Sequence, residues 1–154
     1  MSPRPLEPAT VDFNALSRLH ADGFNPPWSA AALSELLVGP GCFGFLVGAD
    51  VAPDGFIIAR IAADEAEILT MVVSRKHRRS GLGRALVVAA AARAGQRGAH
   101  AMFLEVDVSN AAARTLYEKI GFAVVGNRSA YYKNPKEPPR DALVLKSVLP
   151  LDGK

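Results

Sequence analysis

Between Ile68 and Arg97 the chain passes from an apolar run through a basic block and two closely spaced glycines into an alanine-rich segment. Ile68 to Val73 predicts a strand, Arg75 to Arg79 a loop in which every residue carries a ring or a cation, and the segment from Gly83 onward a helix. Gly81 and Gly83 have no Cβ, so the turn can tighten and a ligand can approach the main chain. The first N–H groups of the helix have no intrahelical partner. The stretch therefore reads as an anion site. A diphosphate would meet unpaired N–H groups, the positive end of the helix dipole and the guanidinium groups of Arg78, Arg79 and Arg84. A basic, solvated loop ahead of an ordinary helix is the structural alternative.

Two familiar diphosphate motifs do not fit. A nucleotide P-loop needs G-x-x-x-x-G-K-[ST], which the chain lacks, and a dinucleotide fingerprint needs a third glycine where Leu86 stands. At 154 residues the chain is expected to be a single domain, 1–154, with a sizeable core. The longest apolar run, Ala85 to Ala92, is far shorter than the roughly 18 to 20 residues of a membrane span. MSPRPLEPAT has prolines and charges where a signal peptide has its apolar core, so a cytoplasmic protein with no membrane partner is expected. Cys42 is the only cysteine, and His20, His77 and His100 lack ligand spacing, so no metal is expected. The net charge of +3 is concentrated in the block at 75–79, with no interleaved aromatic stripe, and this argues for local phosphate binding rather than nucleic acid.

In chain order, Leu6 to Ala9 predicts a short strand, and Thr10 an N-cap for a helix that turns Val11, Leu16 and Leu19 inward. Ser29 starts a second helix that Gly39-Pro40-Gly41 ends. Cys42–Val47, Gly55–Ala62 and Glu65–Val73 predict a meander with a turn near Ala52-Pro53-Asp54-Gly55. The next helix runs from about Gly83 to Arg97, with Leu82, Leu86, Ala89 and Arg93 near one face and Gly98 past its end. Ala99–Val106 alternates as a strand and puts Phe103 and Glu105 on one face. Ser109-Asn110 caps a fourth helix, Ala111–Ile120, terminated by Gly121; Phe122–Gly126 and Ala142–Val148 are the last strands, joined by the proline-rich loop at 133–140. The order predicts an α/β fold with a mixed, mostly antiparallel sheet and about four helices.

Five pieces then occur in register: Phe24-x-x-Pro27-Trp28-Ser29, Arg78-Arg79-Ser80-Gly81-Leu82-Gly83, Leu104-Glu105-Val106-x-x-Ser109-Asn110-x-x-Ala113, Leu116-Tyr117-x-x-x-Gly121-Phe122 and Arg128-x-x-Tyr131-Tyr132. Together they resemble the GNAT-fold N-acetyltransferases, and among these the RimI-type ribosomal-protein alanine N-acetyltransferases. The resemblance implies acetyl-CoA as co-substrate, with main-chain groups of Met71, Val72 and Val73 on the pantetheine arm. It puts the N–H groups around Gly81, Leu82, Gly83 and Arg84 on the pyrophosphate. Asn110 is implied as a coenzyme contact, beside its ordinary role as an N-cap. Glu105 is implied as general base and Tyr117, seven residues beyond Asn110, as general acid. Trp28, Tyr131 and Tyr132 are implied to shape the acceptor groove, although a core plug and strand packing suit them too. The implied acceptor is the N-terminal alanine of a small-subunit ribosomal protein; a monomer or weak dimer is expected.

Elementary acid–base chemistry bears on that acceptor. An ordinary glutamate near 4.3 facing an α-ammonium near 7.7 to 8.0 leaves proton removal uphill by about 5 kcal/mol. Burial beside Phe103, or relay through a water, would narrow the gap. Roughly a tenth of an α-amine is already neutral at pH 7, against well under 0.1% of a lysine ε-amine, so a weak base favours an N-terminal acceptor. An ordinary phenol near 10 protonates a thiolate near 8.5 at a cost of about 2 kcal/mol. A small amine as acceptor, or an acyl-CoA-binding module without catalysis, are the competing readings.

Overall fold

The computed structural model describes residues 2–132 and 140–151, with the backbone alone for 130–132. Seven strands form one sheet in the order β1-β2-β3-β4-β5-β7-β6, and every pair is antiparallel except β4 with β5. The strands are β1 (Arg4–Pro5), β2 (Cys42–Ala49), β3 (Ala52–Ala62), β4 (Glu65–Val73), β5 (Ala101–Asp107), β6 (Ala123–Tyr132) and β7 (Arg140–Val148). The helices are α1 (Phe13–His20), α2 (Ala30–Leu37), α3 (Leu82–Gln96) and α4 (Ala111–Ile120). This is the mixed, mostly antiparallel α/β fold expected.

The helices cover opposite faces. Leu16, Leu19, Leu33 and Leu37 of α1 and α2 pack on Leu46, Phe56, Ile58 and Val72 of the sheet. On the other face Leu82, Leu86, Ala90 and Ala94 of α3 join Tyr117 and Ile120 of α4 against Ile57, Ile68, Leu104, Val106 and Leu145. Small side chains let α3 lie close to the strands. Its inward row is 82-86-90-94, one residue away from the expected 82-86-89-93 at its far end. Arg93 is therefore at the border of the face, with its guanidinium 5.1 Å from the Phe45 ring centroid.

Three local expectations are corrected. The first strand is Arg4–Pro5 rather than Leu6–Ala9, although Leu6 N–H still bonds Gly44 O at 2.9 Å. The cap of α1 is Asp12, whose carboxylate accepts Ala15 N–H at 3.1 Å, while Thr10 belongs to a turn closed on Glu7 O. The β2–β3 hairpin turns at Asp50-Val51, ahead of the expected site. Pro53, which cannot donate to a ladder, is accommodated in β3 because the register shifts opposite Gly48, a residue at φ +97°.

One irregularity positions everything that follows. Ile58 pairs with Thr70 and Ala59 with Ile68, so Leu69 is an extra residue in β4. Such a bulge bends its strand and exchanges the faces of the residues beyond it. Ala66 and Ile68 accordingly face α3, whereas Val72 faces α1. The parallel pairing of β4 with β5 stops at Glu67↔Phe103, immediately before the bulge. Beyond it β4 pairs only with β3, and β5 only with β7, which leaves an opening in the middle of the sheet.

Candidate active site

The two sides of that opening carry different groups. From Ile68 to Val73, a stretch that includes Met71 and Val72, the β5-side edge of β4 has no strand partner among the described residues, so main-chain groups along it are open to a ligand. Glu105 leaves β5 on the α1–α2 face, together with Phe103. Tyr117 is in the core of the α3–α4 face with Leu104 and Val106. The carboxylate and the phenol thus belong to opposite faces of the sheet.

Glu105 has a cation beside it as well as Phe103. Its Oε1 accepts a hydrogen bond from Arg128 Nη1 at 2.6 Å, with the Glu105 side chain 21% exposed. The pairing follows from register. Glu105 is opposite Val144, Asp107 opposite Ala142, and Ala142 opposite Arg128, so the arginine reaches diagonally across a small side chain to the carboxylate. Two residues on, Asp107 accepts from Arg140 Nε at 2.6 Å and from the Ser109 N–H and hydroxyl. Burial works against its ionised form, but those donors outweigh it and hold the carboxyl below its usual range. Asp107 thereby fixes the turn that leads into α4. A cavity of about 290 Å³ lies beside Glu105, bounded by Arg60, Glu65, Glu67, Phe103 and Val144.

Tyr117 is 6% exposed, and its ring meets Phe122 edge-on at 5.6 Å. Burial pushes the phenol well above its ordinary value. Transferring its proton is therefore costlier than an ordinary phenol would suggest. Asn110 caps α4, with its side-chain oxygen accepting Ala113 N–H at 3.1 Å, so the expected capping role is realised.

At the basic loop, Arg75–His77 forms a single 3₁₀ turn and Arg79 adopts φ +63°. Gly81 is the N-cap of α3 at φ +85°, with no side-chain cap; a Cβ there would meet nothing within 4 Å, so the main chain is open to a ligand. Gly83 serves packing, since a Cβ on it would stand 3.1 Å from Leu116 Cδ2. Leu82 is buried and can offer only its backbone. Ser80 Oγ donates to His77 O. Arg78 donates to Asp22 O at 2.6 Å and to Val73 O at 3.4 Å, which ties the basic loop to the end of α1. Arg84 is half-buried in the first turn of α3.

Trp28 is 39% exposed at the start of α2, and its ring stacks on His20 at 5.0 Å. The side chains of Tyr131 and Tyr132, and the loop at 133–139, lie outside the described residues. Among the described residues no group of three or more His, Cys, Asp or Glu is arranged to hold a metal ion. Sequence reasoning assigned nothing to Arg128 or His20. The motif Arg128-x-x-Tyr131-Tyr132 was a pointer to the first, and a histidine two turns before an aromatic loop a weaker one to the second.

His20 is fully buried at the C-terminus of α1, where a helix dipole would favour its cation; burial wins and its pKa falls to about 4. Between about pH 6.5 and 4 the unfolded chain binds a proton here that the folded chain refuses. Stability should therefore fall as the pH drops through that window, by about 3 kcal/mol in total from this residue. Urea midpoints of the wild type and His20→Leu, compared at pH 7 and pH 4.5, test it: the variant should lack this component of the acid loss.

Comparisons with known proteins agree on one relationship. The profile of the acetyltransferase (GNAT) family matches residues 13–122. The chain is 32% identical over 123 residues to the ribosomal protein bS18 alanine N-acetyltransferase of Escherichia coli K12, an alignment covering 80% of this chain and 82% of that one. The crystal structure of the ribosomal-protein-S18-alanine N-acetyltransferase from Escherichia coli superposes with a TM-score of 0.83 at 28% identity, covering 99% of this chain and 96% of that one. A streptothricin acetyltransferase of Streptomyces lavendulae is 36% identical over 106 residues, covering 68% of this chain and 56% of that protein.

Proposed function

Because the chain belongs to the acetyltransferase (GNAT) family, we propose that this enzyme acetylates a protein N-terminal α-amine, the alanine of a small-subunit ribosomal protein, from acetyl-CoA. The observation that carries the reading is the gap between β4 and β5, with Glu105 on the β5 side of it; Tyr117, in the core of the opposite face, would serve it from there. Acetyl-CoA would approach from the α3–α4 side and the amine from the α1–α2 side, so that they meet only within the sheet. Likeness to the alanine N-acetyltransferase of Escherichia coli supports the choice of acceptor.

The pyrophosphate falls to the uncapped first turn of α3 at Gly81–Arg84, with Arg78 and Arg79 as cations. Arg78 would exchange its bond to Asp22 for that anion. The open edge of β4 at Met71–Val73 receives the pantetheine arm, and the Nδ2 end of Asn110 remains for a coenzyme contact. Arg128 holds Glu105 by Oε1, which leaves Oε2 to take a proton from the acceptor, directly or through water. The amine nitrogen bonds to the acetyl carbon, the carbon–sulfur bond breaks, and Tyr117 gives its proton to the departing sulfur. Solvent then restores the phenol. A sulfur buried beside the phenol would have its own pKa raised as well, which would limit the added cost of that transfer.

The test is to incubate the protein with acetyl-CoA and peptides beginning in alanine, serine or acetyl-blocked alanine, beside a panel of small amines, and to locate the added mass. The expected product is a single acetyl group on the free N-terminal alanine, with none on the blocked peptide. Label confined to small amines, the reading that the streptothricin enzyme's similarity favours, or to lysine side chains would overturn the assignment.

A further inference from the structure

The segment between α1 and α2 is held by a cluster that none of the chemistry above uses. His20 is fully buried, and both ring nitrogens are engaged: Nδ1 accepts Trp28 N–H at 3.1 Å, and Nε2 is 3.0 Å from Thr70 Oγ1. Because Nδ1 accepts, the neutral ring carries its proton on Nε2 and donates it to the threonine. Phe24 and Trp28 stack on the imidazole at 4.3 and 5.0 Å, with interplanar angles of 13° and 24°. Ser17, one turn earlier on α1, donates to Trp28 O at 2.7 Å, so both main-chain groups of Trp28 are held from one helix.

This cluster meets β4 at the edge of the opening. Thr70 directly follows the bulge residue Leu69, and only the bulge turns it toward α1. A Cβ on Gly23 would be 3.7 Å from both methyls of Val72, so the segment lies on the part of β4 that has lost its parallel partner. Phe24 and Trp28 are nevertheless 41% and 39% exposed. Two large rings are thus stacked on a buried imidazole and left partly exposed on the face that carries Glu105.

We propose that His20 is a positioning residue that joins the 21–28 segment to β4, so that Phe24 and Trp28 form a preset aromatic wall for the acceptor. The inference rests on the reading that an acceptor amine enters from this face. It assigns acceptor affinity to a buried group that touches neither substrate. An aromatic wall held in place before binding saves the ordering that a free loop would need, so its loss appears in acceptor KM rather than in kcat.

Three full-length variants test it. His20→Leu removes both hydrogen bonds; His20→Asn keeps an oxygen where Nδ1 accepts from Trp28; Thr70→Val removes the tie to β4 with little change of shape. At saturating acetyl-CoA, His20→Leu should raise acceptor KM by about tenfold, the scale of one lost buried hydrogen bond, with kcat and acetyl-CoA KM within about twofold. Thr70→Val should do the same to a smaller degree, and His20→Asn should recover most of the loss. Trp28 is the only tryptophan, so acrylamide quenching of its fluorescence reads the segment directly and should rise in His20→Leu and Thr70→Val. Unchanged acceptor KM in both, a parallel loss of kcat and acetyl-CoA KM, or His20→Asn no better than His20→Leu would overturn the proposal. If the wild type labels a small amine and no peptide, the acceptor reading fails, while acceptor KM for that amine and the quenching still decide the role of His20.

Discussion

Glu105→Gln should lower kcat by about 10² to 10⁴ while the affinity for acetyl-CoA stays within about twofold of the wild type. The carboxamide has nearly the shape of the carboxylate, and its oxygen can still accept from Arg128, which now holds Oε1 at 2.6 Å. What it loses is the capacity to take a proton from the amine. Acetyl-CoA affinity should persist because the groups assigned to it lie on β4 and at the N-terminus of α3, on other elements. Single-turnover rates with an alanine peptide, beside acetyl-CoA titration of the same preparation, separate the two quantities. Wild-type turnover in the glutamine variant would remove Glu105 from the chemistry and reduce the Arg128 pair to a structural tie.

Tyr117→Phe should cost turnover on the same scale, about 10² to 10⁴, with thermal stability nearly unchanged. The ring, not the hydroxyl, makes the packing: Tyr117 belongs to the α3–α4 core and meets Phe122 edge-on, and phenylalanine preserves both. Loss of activity without loss of fold would therefore locate the effect in the hydroxyl. Burial adds a pH signature. Since it raises the phenol above its ordinary value near 10, the wild type should keep its general acid protonated throughout the neutral and mildly alkaline range, and no alkaline fall in kcat from this residue should occur below about pH 10. A Tyr117→Phe enzyme with wild-type kcat would return the residue to a packing role.

Much of the scaffold was legible in the sequence. Glu65–Val73 and Ala111–Ile120 have the predicted bounds, Ser29 and Asn110 cap their helices, and Gly81, Gly98 and Gly121 take the positive φ that their places imply. These are local properties, decided by periodicity and by side chains a few residues apart. Two of the errors fell where two local signals competed. Asp12 and Thr10 are both capping residues, and Pro53-Asp54-Gly55 is a turn sequence that the pairing of Gly48 with Pro53 overrides.

The catalytic candidates were legible because they belong to dense local patterns, but their surroundings were not. Arg128 reaches Glu105 across 23 positions, and His20 reaches Thr70 across 50. No periodicity reports such contacts.

By itself the sequence determined the order of strands and helices, the glycine turn at Gly81–Gly83 and the residue types available for acid–base work, since these depend on neighbours within a turn or two. Tertiary structure alone decided that Leu69 is an extra residue in its strand, that β4 consequently parts from β5 after Glu67, and that Glu105 and Tyr117 lie on opposite faces of the sheet. The reason is that register is settled jointly by two strands and the cores on either side of them, and a shift of one residue moves every later side chain to the other face.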